Sequence, residues 1–567
     1  MHDLMHDVAV LVAGSDSVII NQNTKISNGK HLHMSLADFD FDLETHKSSE
    51  ILEFFSQQKR LRTFLLHNCR YLGFSKLEDY LSKFKCVRAL SLSRMDIEVL
   101  PKNLCELEHL RYLNLSYDSE LKTLPSSLVR LQNLQTLNLV GCENLVRLPR
   151  NMKKLVNLRH LIIEGCSSLT EMPPEFGYMT SLHTLDRFVA SESSGFPEVS
   201  NLINNLQGGL RIERLRHTNY VASKSTAPTL KRVICEGKHN LQLLILKWEE
   251  VDDGNNMMEN EEMALEGLQP PSSVKELQNC QYLPKLDQLR SLKELNINSV
   301  EAAYMCSSAE DEYFDDAHLF FPSLVSLCIE KCPNLKWWWW KRGSDGNGIR
   351  SFPRLSDLNI WKCPNLTSMP LFPCIETLDL TASSSKSFQE TWIMMRGKNT
   401  QANISFLKSI TIKECRDLTT LPEGRENLPS LESITIYSCP NLTSLLEGVG
   451  NLPSLKSVYI YGCPKLISLL KGIGNLPSLE SVTIDNCPVT SLLPGIGNLP
   501  SLQDFRIRHC SNLTAALEGI EEIGNLPSLE TTNICNCPNL ISLPRNLSNF
   551  KKYHIMYCPK LEQRCYN

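Results

Sequence analysis

The sequence predicts an α/β solenoid in which short β-strands stack into one curved parallel sheet and a return segment follows each strand. Three observations favour this fold class. One hydrophobic frame, L-x-x-L-x-L-x-x-C, recurs more than ten times along the 567 residues. Its step is 24 residues over long stretches of two separate blocks. Hydrophobic residues make up 42% of the chain, which is ample for a continuous core.

The frame is most regular in the C-terminal block. Four of its turns begin 24 residues apart, at Leu407, Leu431, Leu455 and Leu479. Later turns begin with looser spacing at Leu502, Leu529 and Phe550. An N-terminal block has the same step, with turns at Leu110, Leu134 and Leu158, and single turns fit at Leu61, Val87, Leu324 and Leu355. This spacing is that of the leucine-rich repeat, in which each turn supplies one short strand.

The alternation within the frame predicts which side chains are buried. Successive side chains of a strand point to opposite faces, so the hydrophobic residues of L-x-L face the core and the residues between them face solvent. Stacked turns form a parallel sheet, and a larger outer layer bends the stack. The sequence therefore predicts a leucine-rich-repeat solenoid with a curved, horseshoe-shaped sheet.

The frame also suggests the domain organisation. Residues 59–185 and 321–567 contain the regular N-terminal and C-terminal blocks. Residues 186–320 contain weaker turns, interrupted by acidic stretches at 249–253 and 259–262 that we interpret as insertions. Residues 1–58 lack the frame.

Twelve of the 21 cysteines occupy the C position of the frame, where a small side chain is expected to pack under the turn. Neighbouring strands lie about 4.8 Å apart, whereas the Cβ atoms of a disulfide lie about 3.8 Å apart. We therefore predict reduced, buried thiols. The twelve are Cys69, Cys142, Cys166, Cys332, Cys363, Cys415, Cys439, Cys463, Cys487, Cys510, Cys537 and Cys558. Off the frame, Cys328 should lie on the solvent face of its strand.

Several function classes are not favoured. A net charge of −5 gives no basic surface for nucleic acid or an anionic membrane. No run of 18 apolar residues suggests a membrane span, and the first residues do not resemble a secretory signal, so we expect a cytoplasmic protein. No catalytic or metal-ligand motif occurs, which predicts a protein that is not an enzyme and has no metal site.

The solvent-facing strand positions near the C-terminus supply the first candidate partner-binding surface. They are rich in tyrosine and arginine, which are enriched in protein–protein binding hot spots. The candidates are Tyr437, Tyr459, Tyr461, Arg506 and Arg508, accompanied by Asp485 and His509. The alternative interpretation is an ordinary solvated sheet.

Four consecutive tryptophans supply the second candidate, Trp337, Trp338, Trp339 and Trp340. Side chains of consecutive residues diverge on a strand and on a helix, so the four rings cannot all face inward. At least one or two are expected to be exposed and to form a contact surface. The alternative is local packing of a long loop on the convex side.

The order of several phrases resembles the coiled-coil class of plant intracellular nucleotide-binding leucine-rich-repeat (NBS-LRR) disease resistance proteins, of resistance-gene-analogue type. The phrases include M-H-D at residues 1–3, K-R-L-R-T-F-L-L at 59–66, G-L-R-I-E at 209–213 and C-P-K-L-E at 558–562. In that family M-H-D closes the nucleotide-binding region (NB-ARC) and the repeats follow. The resemblance implies that residues 1–58 are a winged-helix remnant of that region plus a linker. It also implies that His2, with Asp3 beside it, corresponds to the histidine that contacts the bound nucleotide in that family, so both are remnants of a cofactor-binding motif.

The same resemblance implies a function. The repeats would recognise a pathogen effector or a guarded host protein, and would hold a nucleotide-binding module inactive. No G-x-x-x-x-G-K-[ST] loop occurs, so no cofactor is expected, and ADP or ATP belongs to a full-length parent. Three alternatives remain at this point: a cell-surface repeat receptor ectodomain, a repeat adaptor of ubiquitin ligases, and a non-functional truncated product.

Overall fold

The computed structural model describes nineteen stretches of the chain, and the structural statements below concern those residues. They fall into two compact units, Met1–Val274 and Lys275–Asn567, which are described separately. The described residues are 16–20, 29–39, 46–69, 74–191, 201–202, 205–214, 240–247, 274–279, 292–301, 321–336, 352–369, 372–389, 406–421, 428–444, 452–467, 476–490, 499–514, 526–541 and 552–565.

The first unit contains an eight-stranded sheet whose neighbouring strands are consecutive in the chain. All seven strand pairs are parallel. The strands are β1 (Ser17–Ile20), β2 (His33–Ala37), β3 (Thr63–His67), β4 (Ala89–Ser93), β5 (Tyr112–Asn114), β6 (Thr136–Asn138), β7 (His160–Ile162) and β8 (Thr184–Leu185). One short strand per turn, paired only with its neighbours, is the architecture that the frame predicts.

The sheet begins earlier than the frame indicated. Strands β1 and β2 lie inside residues 1–58, where a helical segment and a linker were expected, and β2 pairs with β3 over five residues. On β2, Met34 and Leu36 are buried, and Phe39 is buried at the position where later turns have cysteine. The turn is hard to recognise in the sequence because phenylalanine replaces the consensus cysteine and His31 replaces the first leucine.

Return segments differ along the first unit. Two α-helices, α1 (His46–Gln57) and α2 (Phe74–Lys83), follow β2 and β3. The next four turns have short 3-10 helices, at Lys102–Glu106, Ser126–Arg130, Met152–Lys154 and Phe176–Tyr178. The first two of these begin directly after a proline. Proline has no N–H to donate and its φ suits a first helical turn, so the L-P pairs of the sequence start these segments.

A second group of parallel strands ends the first unit: β9 (Arg187–Val189), β10 (Gln207–Glu213) and β11 (Asn240–Lys247). Asp186 separates β8 from β9, and its carboxylate accepts hydrogen bonds from the backbone N–H groups of Ile163 and Glu164, both at 2.9 Å. Next to it, Arg187 Nη2 lies 2.6 Å from Glu213 Oε2 in a nearly buried ion pair. A carboxylate therefore takes the place of a strand carbonyl where the regular spacing ends.

The second unit contains twelve parallel strands, again in chain order. They are β12 (Val274–Gln278), β13 (Glu294–Asn298), β14 (Ser326–Glu330), β15 (Asp357–Trp361), β16 (Thr377–Thr381), β17 (Ser409–Lys413), β18 (Ser433–Tyr437), β19 (Ser457–Tyr461), β20 (Ser481–Asp485), β21 (Asp504–Arg508), β22 (Thr531–Cys535) and β23 (Lys552–Met556). A helix, α3 (Pro559–Cys565), follows β23. The two hydrophobic residues of L-x-L are buried on every strand from β13 to β21, as predicted.

The consensus cysteines are confirmed as buried. None of the twelve forms a disulfide, and each has at most 2% of its surface exposed. In most turns the residue before the cysteine adopts a left-handed conformation, as at Asn68, Lys331 and Ser438, and turns the chain inward. Burial raises the pKa of the Cys142 thiol to about 11 and that of Cys166 to about 12. Such thiols are poor nucleophiles, which fits a packing role.

Candidate protein-binding surface

The candidate surface lies on the solvent face of strands β18 to β21. Strand register places the side chains in rows that run across the sheet. The row at the strand ends runs from Tyr437 through Tyr461 and Asp485 to Arg508, and the central row places Tyr459 two strands before Arg506. Five of the sequence-predicted candidates thus share one continuous patch. We call Tyr437, Tyr459, Tyr461, Arg506 and Arg508 the Tyr–Arg surface.

The aromatic part of this surface is formed by rings on two adjacent strands. The rings of Tyr437 and Tyr461 stack with their centroids 4.6 Å apart and their planes 10° from parallel. Tyr437 and Tyr459 each keep 37% of their surface exposed. A stacked pair has few accessible rotamers, so a partner that packs on these rings loses little additional side-chain entropy.

Most charged side chains beside the tyrosines have hydrogen-bond partners within the surface. The Arg506 guanidinium contacts both oxygens of the Asp504 carboxylate, at 3.0 and 2.8 Å. The other carboxylate, Asp485, lies 2.8 Å from His509 Nδ1. On its far side, His509 Nε2 lies 3.0 Å from Asn536 Nδ2, which can only donate. The proton of a neutral His509 ring must therefore be on Nδ1, and it is donated to Asp485.

Arg508 differs from these residues. No carboxylate of a described residue lies within 4 Å of its guanidinium, although Asp485 occupies the neighbouring position in the same row. The positive charge of Arg508 also acts on the aromatic part of the surface. Burial and the Asp485 carboxylate raise the pKa of Tyr459, and the Arg508 charge opposes this increase. Arg508 is therefore the available cation of the Tyr–Arg surface.

A second feature of the same sheet was not recognised in the sequence. The solvent-facing positions of β12 to β16 carry five carboxylates: Glu276, Glu294, Glu330, Asp357 and Asp379. Burial together with Glu330, Glu276 and Asp379 raises the pKa of Cys328 to about 12. Cys328 lines a polar groove of about 460 Å³. As predicted, its side chain lies on the solvent face, half-buried. The carboxylates lie on separate turns, so only the strand register shows that they form one region.

The first unit has a much less charged solvent face. Its strands present hydroxyl, amide and imidazole groups that bond to one another across neighbouring turns. Examples are His33 Nδ1 with Thr63 Oγ1 at 2.9 Å, and His67 Nδ1 with Ser93 Oγ at 2.7 Å. Such satisfied polar pairs leave little unpaired charge for a partner, so the Tyr–Arg surface is the stronger candidate.

The remaining sequence candidates lie outside the described residues. These are His2 and Asp3, and the run from Trp337 to Trp340. Within the part of the chain that the structure describes, no group of three or more His, Cys, Asp or Glu side chains is placed to hold a metal ion. Among the same residues, no helix has the length and apolar character needed to cross a bilayer.

Comparison with known proteins agrees with the fold. A family model described as "Leucine-rich repeat region" matches residues 60–445, which is more than half of the chain. Together with the parallel strands, one per turn, this match shows that the chain belongs to the leucine-rich-repeat family.

Two curated relatives confirm the resemblance described above. The chain is 33% identical over 457 residues to "Putative disease resistance protein RGA1" of Solanum bulbocastanum, covering 75% of this chain and 40% of the relative. It is 30% identical over 298 residues to "Putative disease resistance protein RGA4" of the same species, covering 44% of this chain and 26% of the relative. The chain thus spans well under half of the length of either relative.

The chain also has low similarity to two solved structures. A leucine-rich-repeat protein of Leptospira interrogans shows 18% identity and a TM-score of 0.30, with 94% of this chain and 87% of that chain covered. The mouse RP105/MD-1 complex shows 15% identity and a TM-score of 0.41, with 94% and 83% covered. The family assignment rests on the repeat model and the strand pattern, and not on these two likenesses.

Proposed function

We propose that this chain is the repeat domain of a plant nucleotide-binding leucine-rich-repeat disease resistance protein and that it acts in the cytoplasm. It recognises a pathogen effector or a guarded host protein and restrains the nucleotide-binding module of its parent. The similarity to two disease resistance proteins supports the class. The observation that carries the recognition role is the Tyr–Arg surface, where candidates from adjacent strands meet on one exposed patch.

Recognition by such a surface has a physical basis. The strands are held by parallel pairing on both sides, so the partner meets a pre-formed surface and the ordering cost of binding is small. Tyrosine and arginine at the centre of an interface contribute most to affinity, and truncating such an anchor typically costs about 2 kcal/mol or more. The activity is one of binding, and we propose no catalytic residue.

The test places the full chain directly after an intact nucleotide-binding module of the same receptor class. The fusion is expressed in leaves alone and with each member of a panel of candidate effectors, and cell death is scored. Quiet fusions that respond to one effector show restraint and recognition. Alanine is then substituted singly at Tyr459, Tyr461, Arg506 and Arg508, with Arg416→Ala as a matched exposed arginine off this surface.

We expect these four variants to lose the response while they stay quiet without effector, and Arg416→Ala to respond normally. Normal responses in all four variants would remove the Tyr–Arg surface from the proposal, and the Trp337–Trp340 segment would become the next candidate. Cell death without effector in every fusion would contradict the restraining role.

We also propose that the chain binds no nucleotide by itself, because it has no phosphate-binding loop. ADP or ATP would then belong to a longer parent. Isothermal titration of the isolated chain with ATP and with ADP should show no saturable heat. Micromolar binding would contradict this proposal, and loss of that binding in a His2→Ala variant would locate the site at the M-H-D phrase.

A further inference from the structure

Arg508 is the cationic side chain of the Tyr–Arg surface that is available to a partner. Arg506 is paired with Asp504 and His509 with Asp485, while Arg508 has no carboxylate partner among the described residues. A guanidinium offers five N–H donors in a planar fork, whose geometry matches the two oxygens of a carboxylate. A partner group that completes Arg508 is therefore anionic and planar.

The neighbouring groups limit what can accompany that anion. The Tyr437–Tyr461 stack and the exposed Tyr459 ring form an aromatic floor on β18 and β19. Arg508 lies two strands further on, and Asp485, which contacts His509, lies between Tyr461 and Arg508 in the same row. Aromatic side chains bury a large area against another aromatic or an aliphatic group, and this burial dominates interface energetics. An apolar side chain next to the anion would fill this floor.

The acidic side chains on the strands before the tyrosines limit how a partner can be oriented on the sheet. Glu330 and Asp357 face solvent on β14 and β15, on the same sheet and before the aromatic floor in strand order. Asp379 on β16 is paired with Lys413 at 3.3 Å. Like charges brought together at an interface repel each other, and this repulsion excludes wrong registers. A partner carboxylate is repelled from β14 and β15 and can bind Arg508 on β21.

We infer that the Tyr–Arg surface binds a protein segment that presents an Asp or Glu carboxylate to Arg508 and an adjacent aromatic or aliphatic side chain to the tyrosines. This inference rests on the proposed recognition role and names the partner chemistry for it. The pairing is an ordinary charge-assisted hydrogen bond, and no covalent step is involved. A phosphorylated segment would be a different partner, and the test separates it.

The experiment selects a phage-displayed library of random peptides, each about twelve residues long, on the full chain and on four variants. The variants are Arg508→Glu, Arg508→Gln, Tyr459→Ala and the matched control Arg416→Glu. The wild type and Arg416→Glu should both enrich Asp or Glu within a few residues of an apolar side chain. Arg508→Glu and Arg508→Gln should lose the acidic preference, and Tyr459→Ala should lose the apolar preference alone.

The best wild-type peptide is then synthesised in three forms: as selected, with its acid changed to Lys, and with its acid changed to phosphoserine. By fluorescence anisotropy, its affinity should fall about 30-fold or more on Arg508→Glu, the loss expected for a hot-spot residue. The Lys peptide should bind Arg508→Glu better than it binds the wild type. Tighter binding of the phosphoserine form than of the acid would overturn the carboxylate assignment.

Absence of any acidic enrichment on the wild type, or equal binding to Arg508→Glu, would also overturn the inference. These results are distinguishable from failure of the proposed function. If Arg508→Ala abolishes the effector response in leaves but the peptides show no acidic preference, the recognition role stands and the partner chemistry is wrong. If the peptides show the acidic and apolar preferences but Arg508→Ala leaves the leaf response unchanged, the recognition role of this surface fails.

Discussion

The two regular blocks tie neighbouring turns together at the same place with different side chains. In the N-terminal block, Asn133 and Asn157 donate to backbone carbonyls one turn earlier, each at 2.8 Å. In the C-terminal block, Ser478 and Ser501 donate to the carbonyls of Pro453 and Pro477 at 2.5 and 2.6 Å. The phrases N-L and P-S-L therefore have the same role. Each supplies a side chain that donates a hydrogen bond to a backbone carbonyl of the preceding turn.

The blocks also differ in where they place charge. The first unit buries the Arg187–Glu213 ion pair, whereas Lys456–Glu432 and Lys408–Glu376 in the second unit lie on the surface. Exposed pairs are screened by water and contribute little, while a buried charge without its partner is costly. The Arg187–Glu213 pair is therefore expected to matter more for stability than the exposed pairs of either unit, such as Lys85–Glu106 and Lys456–Glu432.

The largest effect should come from Arg187→Met. Removing one member of a nearly buried pair leaves the Glu213 carboxylate without its partner, which typically costs about 3–5 kcal/mol. The measurement is urea unfolding of the first unit, followed by a probe there. Lys456→Met is the matched variant in the second unit, where we expect a small change. A double variant, Arg187→Met with Glu213→Leu, should recover most of the lost unfolding free energy, because no unpaired charge is then left buried. Equal losses for Arg187→Met and Lys456→Met would contradict the expected difference between buried and exposed pairs.

A pH effect should follow from Asp118, which occupies the position of the consensus cysteine in its turn. Its side chain is fully buried, and burial raises its pKa to about 7 although backbone N–H groups, including that of Met95, donate to it. The folded state then holds a proton that the unfolded state releases near the usual pKa of 3.8. Stability contributed by this group is full below that value and is lost as pH rises to about 7.

Asp118→Asn removes this titration, so the difference in unfolding free energy between variant and wild type should change between about pH 4 and about pH 7, the range set by the two pKa values. The slope is at most about 1.4 kcal/mol per pH unit. Denaturation at a series of pH values measures it, with Glu108→Gln as an exposed control in the same unit. A constant difference across this range would show that the folded carboxyl is ionised throughout.

Two glycines that adopt left-handed φ values offer a matched comparison. A Cβ at Gly141 would lie 2.6 Å from a ring carbon of Tyr117, whereas a Cβ at Gly462 would lie 3.1 Å from the hydroxyl of Ser438. Both alanine variants incur left-handed strain of about 1 kcal/mol. We expect Gly141→Ala to lose more stability than Gly462→Ala because the Tyr117 ring, over which Arg94 lies, must move. Thermal unfolding measures each loss of stability. In the double variant Tyr117→Ala/Gly141→Ala the ring is absent, so the additional loss caused by Gly141→Ala should disappear.

The smallest effects should come from the turn tethers. Asn157→Ala and Ser478→Ala each remove one hydrogen bond to a backbone carbonyl, and each should cost about 1 kcal/mol in chemical denaturation. Asn157→Ser tests whether the two side chains can be exchanged. Full stability in that variant would indicate that serine reaches the carbonyl without the preceding proline, and a loss equal to that of Asn157→Ala would show that it does not.

The sequence predicted the repeats themselves well because the frame combines burial and period in one pattern. Ile434 and Ile436 face the core, and Tyr459 faces solvent, as the alternation requires. The frame did not predict β1 and β2, since two of its positions around β2 carry other residues. A frame can be recognised only when enough of its positions keep their usual residues.

The candidate site was predicted in part. The alternation identifies which side chains face solvent, so the tyrosines and arginines could be named from the sequence. Their pairing could not, because the contact of Arg506 with Asp504 and the isolation of Arg508 depend on side-chain rotamers. The acidic region around Cys328 was missed for another reason: its carboxylates are spread over separate turns of the chain and meet only through the strand register.

The tethers of the C-terminal block have a consequence for how such a protein can change. Because each P-S-L turn bonds to the turn before it through the same two groups, one copy can follow another without a new interface having to be made. Duplication or loss of one repeat unit would then move every later side chain by one strand spacing, about 4.8 Å. The position of Arg508 relative to the tyrosines could thus be adjusted in fixed steps, with no change to the core.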